Sequence, residues 1–389
     1  MLPRNVRILS LVNLFTGLRF FAAIQIIYFA QVTGSYALAM SVFSVSALFQ
    51  SLLEIPTGIF SDTIDRRKTT ILCAFSGFLS VTLFAIGHMY LFLFLGAIIE
   101  GLARALGSGN NDALLHDTLK DSKEEDLFYK YLGKIGSYQA TGFGIAALSG
   151  GFIATFSFPT VMWLSVFTQF MAFLSTLFLQ EPHSYTKSEL NPYAHLKESI
   201  TAFKNNPKLR LLTMSKAIKE SLSESSYQFS AAFIATLWPI WAIGLKNTVD
   251  SFLSIYSYSI SEKFIKRFGE LKSLTFQFIY YRVVSIIAYM FPSVLSPILL
   301  ASTSAGSGIS DVAEKSLMQK EFTDKQRATM GSLDSIVVNI GFVFGSFGIG
   351  YLADIVGPAK TLLTANILLL SVLFLYRKMF KHEKSTIKL

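Results

Sequence analysis

Cysteine occurs once, at Cys73, so the chain can form neither an intrachain disulfide nor a cluster of thiolate metal ligands. Histidine is nearly as sparse. The five, His88, His116, His183, His195 and His382, all fall in or beside segments that read as loops, and they indicate no metal site, catalytic triad or cofactor. Charge is also scarce: Asp, Glu, Lys and Arg are 15% of the 389 residues, where a soluble globular domain carries about 25%. Hydrophobic residues reach 52% and mean hydropathy +0.48. An ordinary soluble domain is excluded, and a polytopic membrane protein remains.

Apolar segments of roughly 20 residues, each long enough to cross about 30 Å of hydrocarbon as a helix, follow one another along the chain. They are expected near 8–31, 36–60, 69–87, 89–114, 130–155, 158–179, 210–240, 247–262, 273–291, 293–314, 327–352 and 359–377. The expected fold is therefore an all-α membrane protein of twelve transmembrane helices in two six-helix bundles. One long hydrophilic segment separates them. The expected domains are an N-terminal bundle at 1–182, a cytoplasmic linker at 183–208 with a short surface helix near 194–203, and a C-terminal bundle at 209–389.

The net charge of +9 could suggest a nucleic-acid partner, so the location of the cations decides. With both termini cytoplasmic, 28 of the 34 Lys and Arg lie in cytoplasmic segments. Lys246 and Lys360 fall outside, and Arg19, Arg104, Lys219 and Arg282 within spans. This asymmetry is the positive-inside pattern, and it uses up the basic surplus without any nucleic acid. The expected setting is a multi-pass inner or plasma membrane, with the lipid bilayer as partner and a monomer as working form. The first span is read as a retained helix, not a cleaved leader.

The halves repeat. Gly107, Ser108, Gly109 and Asp112 return 199 residues later as Gly306, Ser307, Gly308 and Asp311. At the same offset Gly142, Phe143 and Gly151 return as Gly341, Phe342 and Gly350. A landmark at an offset of 200 sets Gly58, Asp62, Arg66 and Arg67 against Tyr258, Glu262, Lys266 and Arg267. Three landmarks in one order argue for two similar halves of one bundle.

Gly58, Asp62, Arg66 and Arg67, in the turn after the second span, match Gly-x-x-x-Asp-Arg-x-Gly-Arg-Arg/Lys of the major facilitator superfamily, with Thr63 and Asp65 departing from it. The fifth span resembles the antiporter motif of that family's drug-efflux branch: Gly142, Gly150 and Gly151 are retained, and Ala146 and Ala147 replace its Gly-Pro. Small residues so spaced also serve close helix packing alone. The resemblance covers the whole chain. It implies two pseudo-symmetric bundles, a cytoplasmic gate formed by Gly58, Asp62, Arg66 and Arg67 with Glu54 nearby, and a central cavity lined by the first, fourth, seventh and tenth helices.

Ionisable residues at membrane depth are costly and mark sites. Glu100 and Arg104 are i,i+4 neighbours on the fourth span and can neutralise one another. On the seventh span Lys216, Glu220, Glu224 and Tyr227 form a polar stripe. Glu224 lies ~22 Å along that helix, where a carboxylate lacking a partner is suited to proton coupling. The alternative is a latch of Lys219 with Glu220, leaving Glu224 solvated in a wet cavity. Arg19 and Asp334 complete the expected substrate and proton pathway; Arg282, on the ninth span, ranks below them.

These readings point to a secondary transporter, not an enzyme. The leading expectation is proton-coupled export of small amphipathic or drug-like molecules past a Phe-rich wall. Import of a small metabolite or organic anion, with Arg19 and Arg104 as charge partners, is the alternative, and a membrane-embedded sensor stands third.

Overall fold

The computed structural model describes residues 4–63, 65–182, 207–319 and 327–386, with side chains except at 62, 63, 207–209, 319, 327–335 and 381–386. Among the described residues every regular element is helical. The surface helix expected near 194–203 lies outside them.

The helices follow the expected spans closely. The first span is Arg4–Gly17 and Gln25–Thr33, joined through a 3-10 turn at Ala22–Ile24; then come Tyr36–Thr63, Arg66–Ile86, a fourth span of Tyr90–Gly107 and Asn110–Asp121, Phe128–Ala154 and Phe158–Thr176. The second half runs Pro207–Ile234, Ile240–Phe268, Glu270–Met290, a tenth span of Ser296–Ser302 and Ser307–Gln319, Arg327–Val356, and a twelfth of Pro358–Leu369 and Val372–Thr386. Seven of these are long and apolar enough to cross a membrane by length and composition. The seventh span is not among them because Lys216, Lys219, Glu220 and Glu224 interrupt its apolar run. The eighth starts earlier than its hydropathy suggests, so Lys246 belongs to a helix and not to an outer loop; it is buried and paired with Asp250 at 2.6 Å.

The repeated Gly-Ser-Gly marks the same structural event twice. Helix Tyr90–Gly107 stops at the first copy, where Gly109 sits at φ +73°, and the tenth span passes through a 3-10 turn, Thr303–Gly306, at the second. Tight turns elsewhere depend on glycine for two reasons at once. Gly87 has φ +41°, and a Cβ there would stand 2.0 Å from the Tyr28 hydroxyl oxygen.

The chain forms two compact units, Met1–Leu190 with Ile240–Leu245, and Asn191–Pro239 with Lys246–Leu389. In the first, the fifth span packs against the first with no side chain between the backbones. A Cβ on Gly17 would lie 2.3 Å from the Gln139 carbonyl oxygen, one on Gly142 2.4 Å from that of Leu14, and one on Gly150 1.9 Å from that of Phe20. Gly151 faces the backbone of Ile240 and Trp241, the short stretch grouped with this unit. Phe128–Ala154 runs unbroken through Ala146 and Ala147, where the matched motif has its proline. In the second unit, Leu212, Leu274, Phe278, Leu317, Leu369 and Tyr376 form the core.

Candidate functional site

In the first unit the ionic groups converge on one carboxylate. Glu100, almost fully buried, accepts from Arg104 Nη2 at 3.1 Å and from Arg19 Nη1 at 2.9 Å. The i,i+4 pair is present, and Arg19 makes it a triad. Arg19 reaches Glu100 because the first helix is broken at residues 18–21. A break in lipid exposes carbonyls that need partners. The sixth span supplies them: Thr168 Oγ1 donates to the Leu18 carbonyl at 2.7 Å and Gln169 Nε2 to that of Phe15 at 3.1 Å. Both arginines keep part of their surface accessible, 27% for Arg19 and 49% for Arg104, so the triad is buried on its acid side alone.

In the second unit a cavity of about 460 Å³ opens among the seventh, ninth, tenth and eleventh spans. Lys219, Glu220 and Glu224 line it, with Tyr227, Gln277, Tyr281, Arg282 and the hydroxyls of Ser223, Ser307 and Ser310. Two expectations change here. The latch joins Lys219 to Glu314 of the tenth span, while Glu220 lies 4.0 Å from Lys216; the tenth helix brings its acid closer than the same helix can. Glu224 is exposed and accepts from Gln228 Nε2 at 2.8 Å, because its side of the helix turns to the cavity. That is the solvated alternative. Asp311 pairs with Lys315 at 2.8 Å and accepts from the Tyr258 hydroxyl at 3.0 Å. Most of the residues that line it carry polar groups and Phe278 is its one phenylalanine, while the larger part of the accessible lining is apolar. The Asp334 side chain lies outside the described residues.

At the turn between the second and third spans, Arg66 donates to Ser61 Oγ at 2.8 Å and lies 3.8 Å from Asp117 of the fourth span. Asn110, beside the first Gly-Ser-Gly, holds the junction together: it accepts from Ser61 at 2.6 Å and donates to Thr70 Oγ1 at 2.8 Å and the Arg66 carbonyl at 3.2 Å. Asp65 is in extended backbone and caps the third helix through Lys68 N at 2.9 Å, so it needs no left-handed turn. Glu181, at the end of the sixth span, accepts from the backbone N–H groups of Arg66 and Arg67 at 2.9 and 2.7 Å. Arg67 also donates to the Leu177 carbonyl at 3.1 Å. Burial and the adjoining Asp65 carboxyl push Glu181 up to about 7. Burial also acts to raise Asp65, but its hydrogen bonds to Glu181 and Lys68 prevail and hold it below the usual range. Of the remaining gate residues, Glu54 has one carboxylate oxygen buried with no hydrogen-bond partner, Gly58 faces open space, and the Asp62 side chain lies outside the described residues.

Residues 8–346 match the model of the major facilitator superfamily. The chain belongs to that superfamily. An uncharacterized MFS-type transporter of Methanocaldococcus jannaschii is 25% identical over 377 residues, covering 92% of this chain and 94% of that one. Among solved structures, the nucleoside transporter NupG superposes with a TM-score of 0.83 at 14% identity, covering 97% of this chain and 98% of the other. A bacterial homolog of the human lysosomal transporter Spinster, inward-facing and unoccupied, gives 0.74 at 15%, with 97% of each chain covered. At such identities the likeness is one of fold. The protein is thus a multi-pass, all-helical membrane transporter of the major facilitator type.

Within this superfamily fold, three residues matter that sequence reasoning passed over or ranked low: Asn110, Glu181 and Arg282. Asn110 stood inside a repeat noticed for its glycines. Glu181 was visible as a polar residue opening the linker, and its partners lie 114 and 115 positions away. No local signal could have joined them.

Proposed function

We propose that this is a proton-coupled secondary transporter of small polar organic solutes, working by alternating access with efflux as its direction, and not an enzyme. One observation carries the reading: ionisable side chains at membrane depth line a cavity of about 460 Å³ in the second unit, with Glu224 exposed to it. Charged groups are retained inside spans where they meet water or solute, and among the described residues Glu224 is the carboxylate of this wall that no cation holds. The polar groups set in a partly apolar lining suit solutes that carry hydrogen-bonding groups on an organic body. The efflux direction rests on the fifth-span glycines, which match the exporting branch's motif.

In this scheme solute and proton bind alternately from the two sides, each shifting the balance of conformations. Both termini are cytoplasmic, the membrane is the inner or plasma membrane, and one chain suffices. The test is Glu224→Gln in inverted vesicles. Proton-driven solute movement should collapse while solute-for-solute exchange persists. Undiminished proton-driven movement would remove Glu224 from the mechanism, and movement in the opposite direction alone would overturn efflux.

A further inference from the structure

Arg19, Arg104, Lys219 and Arg282, the cations read within spans, and Lys246, now placed in a helix, make five, and four of them meet a carboxylate. Arg19 and Arg104 share Glu100, Lys219 has Glu314, and Lys246 has Asp250. Arg282 is the exception. It is 3% exposed, and among the described residues its partners are neutral: Nη1 donates to Asn366 Oδ1 at 2.6 Å and Nη2 to Ser223 Oγ at 2.8 Å. Its guanidinium carbon lies 4.4 Å from the ring centre of Tyr281 and 5.2 Å from that of Phe278. Its Nε–H is buried and meets no acceptor.

A guanidinium does not shed its charge as a lysine can, so burial cannot be relieved by deprotonation. Leaving a buried cation without an anion is among the more expensive arrangements a membrane bundle can keep. Two neutral acceptors and two ring faces offset part of that cost, and they also fix the fork in one orientation. The side of the fork left without an acceptor belongs to a residue that lines the 460 Å³ cavity. The carboxylates on that wall have other neighbours: Glu314 holds Lys219, Asp311 holds Lys315, Glu220 faces Lys216, and Glu224 holds Gln228.

We infer that this cavity is a subsite for an anionic group, a carboxylate or phosphate, of a small solute whose charge Arg282 neutralises. Tyr281 and Phe278 fix the guanidinium, and Ser223, Gln277 and the tenth-span hydroxyls of Ser307 and Ser310 supply hydrogen bonds to the rest of the molecule. The inference rests on the transport reading above and names its substrate class.

The test uses the purified full-length protein in lipid nanodiscs, with benzoate, 4-hydroxybenzoate and inorganic phosphate as probes and neutral benzamide as control, read by equilibrium binding. At least one anion should bind and benzamide should not. The arms separate carboxylate from phosphate. Arg282→Gln should weaken that binding about tenfold or more, as expected for loss of a charge-assisted contact. Arg282→Lys, which keeps the charge and loses the fork, should fall between. In case the variants fold poorly, phenylglyoxal modification of Arg282 in the unaltered protein, mapped by mass spectrometry, should be slowed by the bound anion and not by benzamide. The inference is overturned if no probe anion binds, if Arg282→Gln and Arg282→Lys bind it as the parent does, or if the anion leaves modification of Arg282 unchanged. A failure of binding with proton-driven movement of other solutes intact sinks this site alone. Binding without any movement across liposomes sinks the transport reading and leaves the site.

Discussion

In the first unit a cation of the first span, Arg19, meets a carboxylate of the fourth, Glu100. In the second, Lys219, 200 residues later on the seventh span, meets Glu314 of the tenth. The pairing rule is shared and the level is not. At the 199-residue offset Glu314 answers Leu115, fifteen residues beyond Glu100, a difference of about 22 Å at helical rise. The first unit gathers two arginines on one buried acid and bends its first helix to do so. The second keeps its seventh helix unbroken from Pro207 to Ile234 and spreads its charges around a cavity. A duplicated scaffold has thus kept which helices exchange charge and has changed what the charge encloses: a closed triad in one unit, a solvated pocket in the other.

The comparison breaks most readily at the acids. Glu100→Gln removes the one acid that two part-exposed guanidinium groups share and leaves like charges together, which should cost about 2 kcal/mol or more, seen as a fall in melting temperature of the purified protein. Glu314→Gln breaks one pair instead of two and leaves a single cation that borders the cavity, so the loss should be about half as large. Equal losses would mean that triad and pocket do not differ in the way described.

Packing offers a second contrast. Gly142 and Gly341 are repeat partners, yet a Cβ on the first would strike the Leu14 carbonyl oxygen, and on the second the Ser221 hydroxyl. The Leu14 backbone cannot yield, whereas at Gly341 the hydroxyl can rotate and the Ser221 Cβ, 2.9 Å away, needs to give only a little. Gly142→Ala should therefore cost about 1–3 kcal/mol. Gly341→Ala should cost about 1 kcal/mol or less, the worth of the Ser221 bond to the Val338 carbonyl. Thermal unfolding of both variants in one detergent decides it, and a larger loss at Gly341 would contradict the contrast.

How far these differences could be read from sequence depends on the range of the forces involved. Local periodicity carried the spans, and the Gly-Ser-Gly repeat marked both interruptions of the fourth and tenth, because hydropathy and backbone freedom act over a few residues. Glu100 with Arg104 was legible for the same reason. Arg19 joining them was not, since the break at residues 18–21 carries no proline and depends on Thr168 and Gln169 far along the chain. Glu224 could be placed along its helix, but position along a helix does not say whether a face turns to protein or to water. Arg282 was undervalued because its partners, Asn366 and Ser223, stand 84 and 59 positions away. Its distinguishing feature among the described residues is the lack of a counter-ion, which no sequence displays.

The smallest expected effect concerns the turn between the second and third spans. Glu181 has a folded-state pKa of about 7, above the ordinary value near 4.5. Between those values the folded protein holds more protons than the unfolded chain, so this group's contribution favours folding below the window and is lost as pH rises through it. Asp65, held low, acts oppositely and only at more acid pH. A melting-temperature profile from pH 4.5 to 7.5 should show a shallow decline that Glu181→Gln flattens. An unchanged slope in the variant would remove Glu181 from the account.

The central claim is that Glu224 faces a water-accessible cavity that opens to each side of the membrane in turn. With Cys73→Ser as background, Glu224→Cys in oriented vesicles can be probed with a membrane-impermeant maleimide added to one side or the other. The account predicts labelling from both sides, each suppressed when a transported solute or proton gradient favours the opposite opening. Labelling from neither side, with reaction only toward a lipid-soluble reagent, would contradict it.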